Sequence, residues 1–494
     1  METLQRTANR GSISTGYDID NSCKFEADNT EYLNRVIASG GNRKTWTISA
    51  WVKRTEISDA SHGGGHTIFA VNVSGNEGCL LRFNTGTTAA TLDTLQIDIG
   101  AGSTLSRSHT SQVFRDTSAW YHIVLAVDTT QSTDTDRFKL YVNGELVTSY
   151  YSRNNPAQDF DTSNNQAANS CTQHIGAYTS GGTAYGKFCG YIAEVNHVDG
   201  TALAPTAFGE VDDDTGIWIP IKASPTYGTN GFFLDFEDGA NMGDDESGNG
   251  LDFTEVNITA ADQAVDTPTN NFAIISDAMR NNQDTLYSTL TEGGTKFRAI
   301  NFDTWVAVPS SIGVTKGKWY AEFKVIGARP NSAWGIISLE QINDYTLSYL
   351  GEPNKNWSIG YYQANGNLFQ VQNSGSSTVT GWGAAVSQNQ VVSVALDMDN
   401  HKLYMAVNNT YQNSGNPVTG ANAISIDATE TVAIATSGYS LGSGNDTIAG
   451  VNFGGYVTGG MYSQATDGNG YGGFRYAPPS GYYALCTKNL AEFG

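Results

Sequence analysis

The stretch VVSVALDMDNHKLYMAVNN, residues 391–409, sets Asp397, Asp399, Asn400 and His401 between two apolar runs. Carboxylates close to an imidazole are the raw material of an acid–base or metal site. The flanking residues point elsewhere. Val392, Val394 and Leu396 alternate before the polar break, and Leu403, Met405 and Val407 after it, so the segment reads as two antiparallel strands. Asp and Asn then belong to the turn, where they tolerate its geometry and bond their own backbone. A calcium loop is disfavoured, because no Gly stands at the sixth place and Asn408 holds the twelfth.

Other constellations carry comparable ambiguity. Glycoside cleavage needs two carboxyl groups facing each other across the scissile bond. On a strand that spacing is Glu-x-Asp-x-Glu or a close variant, and no such run is present. Glu194 and Glu322 are solitary, and Asp235 with Glu237 shares a strand face only in DFED. No nucleophile elbow, phosphate loop or dinucleotide fingerprint is found. The expectation is a protein without catalytic residues.

Metal readings are few. His62 and His66 in SHGGGH lie in a glycine-rich setting without rigid geometry and read as an exposed loop. Cys171 and His174, with Cys189 and His197, have a zinc-like look but fall on separate predicted strands with mixed facing. A Cys171–Cys189 disulfide requires an oxidising environment. GDDESGNGLD, residues 243–252, offers Asp244, Asp245, Asn249 and Asp252 as hard oxygen donors. Those donors on a glycine-bearing loop suit calcium, and they equally suit a solvated acidic turn.

For binding, the C-terminal GGYVTGGMYSQATDGNGYGGFRYAPPSGYY spaces Tyr456, Tyr462, Tyr471 and Tyr476 with glycines. Tyrosine combines stacking area with a hydroxyl at low entropic cost, as in antibody paratopes. The same rings could instead pack down on the last strand. Trp382, in TGWGAA between strands, is a further ligand-binding candidate.

These residues must be held by strands. Of 494 residues, 39% are apolar and only 15% charged, with 55 glycines, 25 tyrosines and 20 phenylalanines. Such a mixture favours short strands over helices. In TWTISAWVKR, Trp46, Ile48, Ala50 and Val52 share one face. Asn143-Gly144 in RFKLYVNGELV is a strong hairpin signal. The predicted fold is all-β: two β-sandwiches of jelly-roll type. The predicted division is an arm at 1–12, a first sandwich at 13–210, a partly structured connector at 211–275 and a second sandwich at 276–494.

A formal net charge of −22 argues against nucleic-acid partners. Five dispersed cysteines are not a disulfide framework. METLQRTANRGS lacks the apolar core of a signal peptide, and no run is long enough for a bilayer. Cytoplasmic synthesis without membrane insertion is expected.

The motifs YLNRV, KTWTISAWVKR, WYHIVLAVDTT, RFKLYVNGELV and GYIAEVNHVDGTAL, in that order, resemble the laminin-G-like, concanavalin-A-type jelly roll. KGKWYAEFKV, WGIIS, SIGYY, VSVALDMDNHKLYMAVNNTYQNSGNP and VNFGG resemble a SPRY domain. The pairing, with GIWIPI and GFFLDF between and YAPPSGYYALCTKNL at the end, resembles structural proteins of marine bacteriophages. That resemblance implies a virion protein in a tail fibre or other tail appendage that recognises a host-surface glycan or protein. Its partners would be other virion proteins and further copies of itself. The alternatives it leaves are a capsid decoration or tail-assembly protein and, from the concanavalin-type fold, a polysaccharide depolymerase.

Overall fold

A computed structural model describes residues 16–57, 64–73, 76–85, 88–101, 104–167, 171–276, 288–300, 303–327, 329–340, 348–428, 430–441, 446–456 and 465–494. The chain divides into two compact units, with the break between Thr269 and Asn270. Each is a pair of sheets, antiparallel but for the parallel pairing of Tyr483–Ala484 beside Lys318–Val325, around its own apolar core, so the fold is the expected all-β double sandwich.

In the first unit one sheet runs Glu145–Leu146, Phe138–Val142, Tyr121–Asp128, Thr45–Arg54, Gly190–Asp199, Ser22–Phe25, Gln263–Ala264. The facing sheet runs Tyr150–Ser152, Thr104–Val113, Thr94–Ala101, Asn76–Asn84, Gly65–Val73, Cys171–Ile175, Tyr32–Val36, Thr254–Val256. Trp46, Ile48, Ala50 and Val52 point between the sheets against Phe69, Leu81 and Phe83, as their alternation requires. The hairpin at Asn143-Gly144 forms with both residues at positive φ, 49° and 81°. A side chain at Gly144 would come within 2.4 Å of the Trp218 ring, so glycine is needed for space as well as conformation.

The predicted connector at 211–275 is the main correction. Phe232–Leu234 pairs with Gly190–Asp199, Thr254–Val256 extends one sheet beside Tyr32–Val36, and Gln263–Ala264 extends the other beside Ser22–Phe25. Up to Thr269 the stretch is part of the first sandwich, and from Asn270 it belongs to the second unit. The reason is electrostatic as well as apolar. Lys53 and Lys24 are buried at about 0% and 1% exposure, and the carboxylates that pair with them include Asp266 at 2.7 Å and Asp262 at 2.8 Å. A buried ammonium without a counter-charge costs several kcal/mol or more, so these carboxylates must return to the first sheet. Asp266 also accepts from the Trp120 indole N–H at 3.1 Å.

In the second unit the larger sheet centres on Lys318–Val325, flanked by Val391–Asp397 and Ile448–Asn452, with Lys402–Val407 beyond Val391–Asp397. The other sheet runs Thr304–Pro309, Val432–Ser440, Ser332–Ser338, Ser358–Tyr362, Leu368–Gln372, Gly375–Val379. Val391–Asp397 pairs with Lys402–Val407 in the expected register, Val394 opposite Met405. Asp397 accepts from the Asn400 backbone N–H and pairs with Lys318 at 3.0 Å, Asp399 accepts from Gly317 N–H, and His401 takes φ 55°. The polar group at 397–401 is a hairpin turn.

Replacing Asp266 by Ala removes the carboxylate 2.7 Å from the Lys53 ammonium and should cost the first unit about 3–5 kcal/mol. Denaturant unfolding of wild type and D266A checks this. A chain ending at residue 210 should fail to fold cooperatively where one ending at 269 succeeds.

Candidate functional site

Three strands of the six-stranded sheet in the second unit, two of them separated by Ser332–Ser338, repeat one pattern. In Thr304–Pro309, Val306 and Val308 face the core while Trp305 and Ala307 face away. In Val432–Ser440, Val432 and Ile434 face the core, and Ala433, Ala435, Ser437 and Tyr439 occupy the other phase. In Ser358–Tyr362, Ile359 and Tyr361 face inward, while Ser358, Gly360 and Tyr362 face outward. Register aligns these outer phases: Trp305 lies opposite Tyr439, Ala333 opposite both Ser437 and Tyr362, and Gly360 opposite Phe369.

The result is a floor of small side chains rimmed by rings. Trp305 touches Tyr349, Tyr362 and Tyr439 at centroid distances of 5.2, 5.9 and 5.5 Å, and Phe369 touches Tyr349 and Tyr362 at 5.4 and 5.7 Å. All five rings are half-buried. Leu350 crosses the floor, and its N–H donates to Ser437 Oγ at 3.3 Å. Polar groups stand at the edge. Tyr439 donates to Asp303 at 2.9 Å, Tyr362 donates to Asn331 at 3.0 Å, and the Arg329 guanidinium lies 5.2 Å from the centre of the Tyr439 ring. Arg329 Nε has no acceptor among the described residues. Aromatic faces with a few fixed polar groups are the usual make-up of a small-molecule or glycan surface. None of these five rings was among the sequence candidates. For Trp305, Tyr362 and Tyr439 the signal was readable: an aromatic near the end of a strand whose outer phase is otherwise small.

The expected binding residues lie apart from this cluster. Tyr456 is buried. Tyr471 is half-buried beside Phe474 and Tyr482, under the Lys488 ammonium at 5.6 Å. Tyr476 is half-buried, and its backbone N–H donates to Glu322 at 2.8 Å. Tyr462 is outside the described residues. Trp382 is half-buried, edge-on to Tyr361 at 5.5 Å. Glu322, solitary in sequence, is fully buried and accepts from the Arg475 and Tyr476 backbones, the Tyr320 hydroxyl and the Asn452 amide. It pins the backbone at Arg475 and Tyr476 to the sheet.

The expected calcium loop uses its oxygens on itself. Asp245 accepts from the N–H groups of Phe233, Ser247 and Leu251, and Asp252 accepts from that of Asp245. The Asn249 amide donates to the carbonyls of Gly228 and Gly231. Asp244, half-buried, Asp245 and Asp252 do not converge as a ligand set; among the described residues, the convergent group lies elsewhere. A loop with this many inward N–H groups needs acceptors, and Asp245 meets that need.

The first unit has its own polar cluster. Glu194 sits at a bulge in Gly190–Asp199 with φ 52°, a left-handed position that costs a side-chain-bearing residue roughly 1–3 kcal/mol. Tyr17 donates to it at 2.8 Å. Burial, with the negative charges of Asp235 and Glu237 adding to it, pushes the Glu194 carboxyl up to about 8. Asp235 and Glu237 follow Phe232–Leu234 rather than lying on it, and Asp235 accepts from the Glu237 N–H. Nearby, His122 is sandwiched between Trp51 at 4.7 Å and Trp218 at 5.9 Å. The Trp218 indole donates to His122 Nδ1 at 2.9 Å, so the ring proton is on Nε2 and goes to Ser49. Burial lowers His122 to about 3 and His174 to about 4; it also lowers His197, to about 3, with the Arg35 charge adding. Cys171 and Cys189 are buried and not joined in a disulfide, and the other three cysteines are likewise buried and outside any disulfide. No helix among the described residues is long and apolar enough to cross a membrane.

Residues 26–205 match the family model of the concanavalin A-like lectin/glucanases superfamily. No curated protein matches the chain. Among solved structures, the SPRY domain of human HERC1 is 14% identical, covering 34% of this chain and 94% of that one, with a TM-score of 0.26. A Bacteroides ovatus protein described as carbohydrate-binding is 17% identical, covering 48% of this chain and 58% of that one, TM-score 0.34. A heptameric pentraxin from Limulus polyphemus is 16% identical, covering 38% and 80%, TM-score 0.28.

The titrating groups define a pH response. His122, His174 and His197 are neutral when folded and regain protons on unfolding below about 6.5, so stability falls as pH drops from there toward 3–4. Glu194 has the opposite sign: protonated in the fold, it contributes stability below about 4.5 that is lost as pH rises through about 8. First-unit stability should therefore decline in both directions from mildly acidic pH. E194Q should flatten the alkaline limb and leave the acid limb intact, which unit-resolved hydrogen exchange against pH measures.

Proposed function

We propose that this chain is a non-enzymatic recognition protein of a bacteriophage particle, acting in a tail fibre or tail appendage. It binds a carbohydrate, or a protein surface of similar chemistry, on the host cell. The observation that carries the recognition reading is the rim of Trp305, Tyr349, Tyr362, Phe369 and Tyr439 around a small-residue floor. Sugar rings present flat C–H faces and equatorial hydroxyls. Aromatic faces take the first, and groups such as Asp303, Asn331 and Arg329 take the second. The concanavalin A-like match over residues 26–205 supports a lectin-type scaffold in the first unit. The particle assignment is supported by the resemblance of the paired motifs to phage structural proteins.

Affinity of one platform would be weak. Several copies in one appendage, linked in fixed geometry, raise the effective concentration of each remaining site and convert weak contacts into firm attachment. The acidic surface, −22 overall, keeps such an assembly soluble and limits adhesion to nucleic acid.

Purified full-length protein, labelled and presented as a multivalent conjugate, should bind host cells and a subset of glycans on an array. Trp305→Ala should weaken binding about 30-fold, the loss of one central aromatic anchor, with the thermal midpoint little changed. Unaltered binding by W305A would remove the platform from the account. Release of oligosaccharide from host envelope would overturn the non-enzymatic assignment. Absence of cell binding, with antibody labelling on the phage head, would overturn the appendage assignment.

A further inference from the structure

Two sequence features that looked unrelated meet in the first unit. His66 comes from SHGGGH and Cys189 from FCGYI, and both lie beside Glu56. One ring nitrogen of His66, the Cys189 sulfur and one Glu56 carboxylate oxygen lie within 4.8 Å of one another, and all three side chains are buried.

The backbone explains the convergence. Glu56 follows Thr45–Arg54 and Cys189 precedes Gly190–Asp199, two strands that pair with Gly190 opposite Arg54. Thr55 N–H continues the pairing by donating to the Cys189 carbonyl at 3.2 Å. His66 arrives from the facing sheet, in Gly65–Val73, with its ring edge-on to Phe188 at 6.1 Å. The three donors thus bridge the two sheets of the sandwich. The other members of the zinc-like sequence pattern are elsewhere. Thr179 Oγ1 lies 3.1 Å from His174 Nε2, and the Asn164 amide lies 2.8 Å from His197 Nε2. Cys171 pairs across to Val73 in another strand.

One thiolate, one imidazole and one carboxylate form a mixed sulfur, nitrogen and oxygen set. Calcium and magnesium prefer oxygen alone, whereas zinc takes this mixture in tetrahedral geometry. Bonds of about 2.0–2.3 Å place tetrahedral ligands roughly 3.3–3.8 Å apart, so side-chain adjustments of about 1 Å close this group on an ion. A divalent cation also balances a thiolate and a carboxylate around a neutral imidazole, leaving no net buried charge.

We propose that Glu56, His66 and Cys189 form a structural site for a zinc-type divalent cation. On binding, the Cys189 S–H bond breaks, its proton leaves to solvent, and the sulfur lone pair forms the bond to the metal. The ion then ties the end of Thr45–Arg54 and the start of Gly190–Asp199 to the facing sheet. The buried position suits a tie between sheets and not a catalytic centre.

The test uses the full-length chain, kept reduced, stripped with a chelator and dialysed. Titration with cobalt(II) should produce thiolate-to-metal charge-transfer absorption that saturates at one ion per chain and is displaced by zinc. The absorption should be lost in C189S, be weakened in H66N and E56Q, and survive in C79S. Zinc should raise the thermal midpoint of the wild type and not that of C189S. X-ray absorption at the zinc edge of the loaded wild type should report one sulfur and at least one imidazole, a readout that needs no variant to fold. A first shell without sulfur, or wild type without the cobalt band at one equivalent, would overturn the proposal; so would a band retained in C189S.

Discussion

Two ammonium groups without access to water set the organisation of the first sandwich. Lys24 and Lys53 lie on the two strands that flank Gly190–Asp199 in its first sheet, and neither can keep its charge there without a carboxylate. Glu31 supplies one such group locally at 3.0 Å, but Asp262 and Asp266 come from more than two hundred residues along the chain. Arg54 repeats the arrangement with Asp93 at 3.1 Å. Because these charges must be met, the segment after residue 210 folds back, adds strands to both sheets and closes over apolar residues on the way. An aspartate-, glycine- and threonine-rich stretch is thereby structural instead of linking.

The second unit shows the converse use of a strand's two faces. Its inward phase carries Val, Ile and Trp and builds the core, while its outward phase carries Ala, Ser and Gly. Small residues let Leu350 approach the sheet, and the aromatic rings at the strand ends then stand above a low floor. A bulky residue in the middle of that floor would fill the surface and leave nothing concave to recognise. The same economy explains Glu322, whose buried carboxylate gathers four donors and so fixes the backbone at Arg475 and Tyr476.

Much of this was legible in the chain. Alternation located Thr45–Arg54, Val391–Asp397 and Lys402–Val407, and Asn143-Gly144 marked its hairpin, because these signals are local. The polar group at 397–401 was correctly read as a turn, since the strands on either side left it no other role. The site was less legible. Tyrosines spaced by glycine drew attention to 456–476, yet the structure buries Tyr456 and packs Tyr471 against another aromatic cluster, while the clustered rings come from positions up to 134 apart, as with Trp305 and Tyr439. His66 and Cys189 each looked inert because a donor's neighbours in space, not in sequence, decide whether it belongs to a ligand set.

Sequence by itself determined the all-β class, the two-sandwich plan and the main hairpins, because strand periodicity and turn chemistry act over a few residues. Tertiary structure alone decided that residues 211–269 complete the first sandwich, which aromatic side chains form a common surface, and that Glu56, His66 and Cys189 converge. Each of those outcomes depends on strand order and register, which bring distant residues opposite one another. No local pattern encodes that pairing; it follows from burying apolar faces and neutralising interior charge across the whole unit at once.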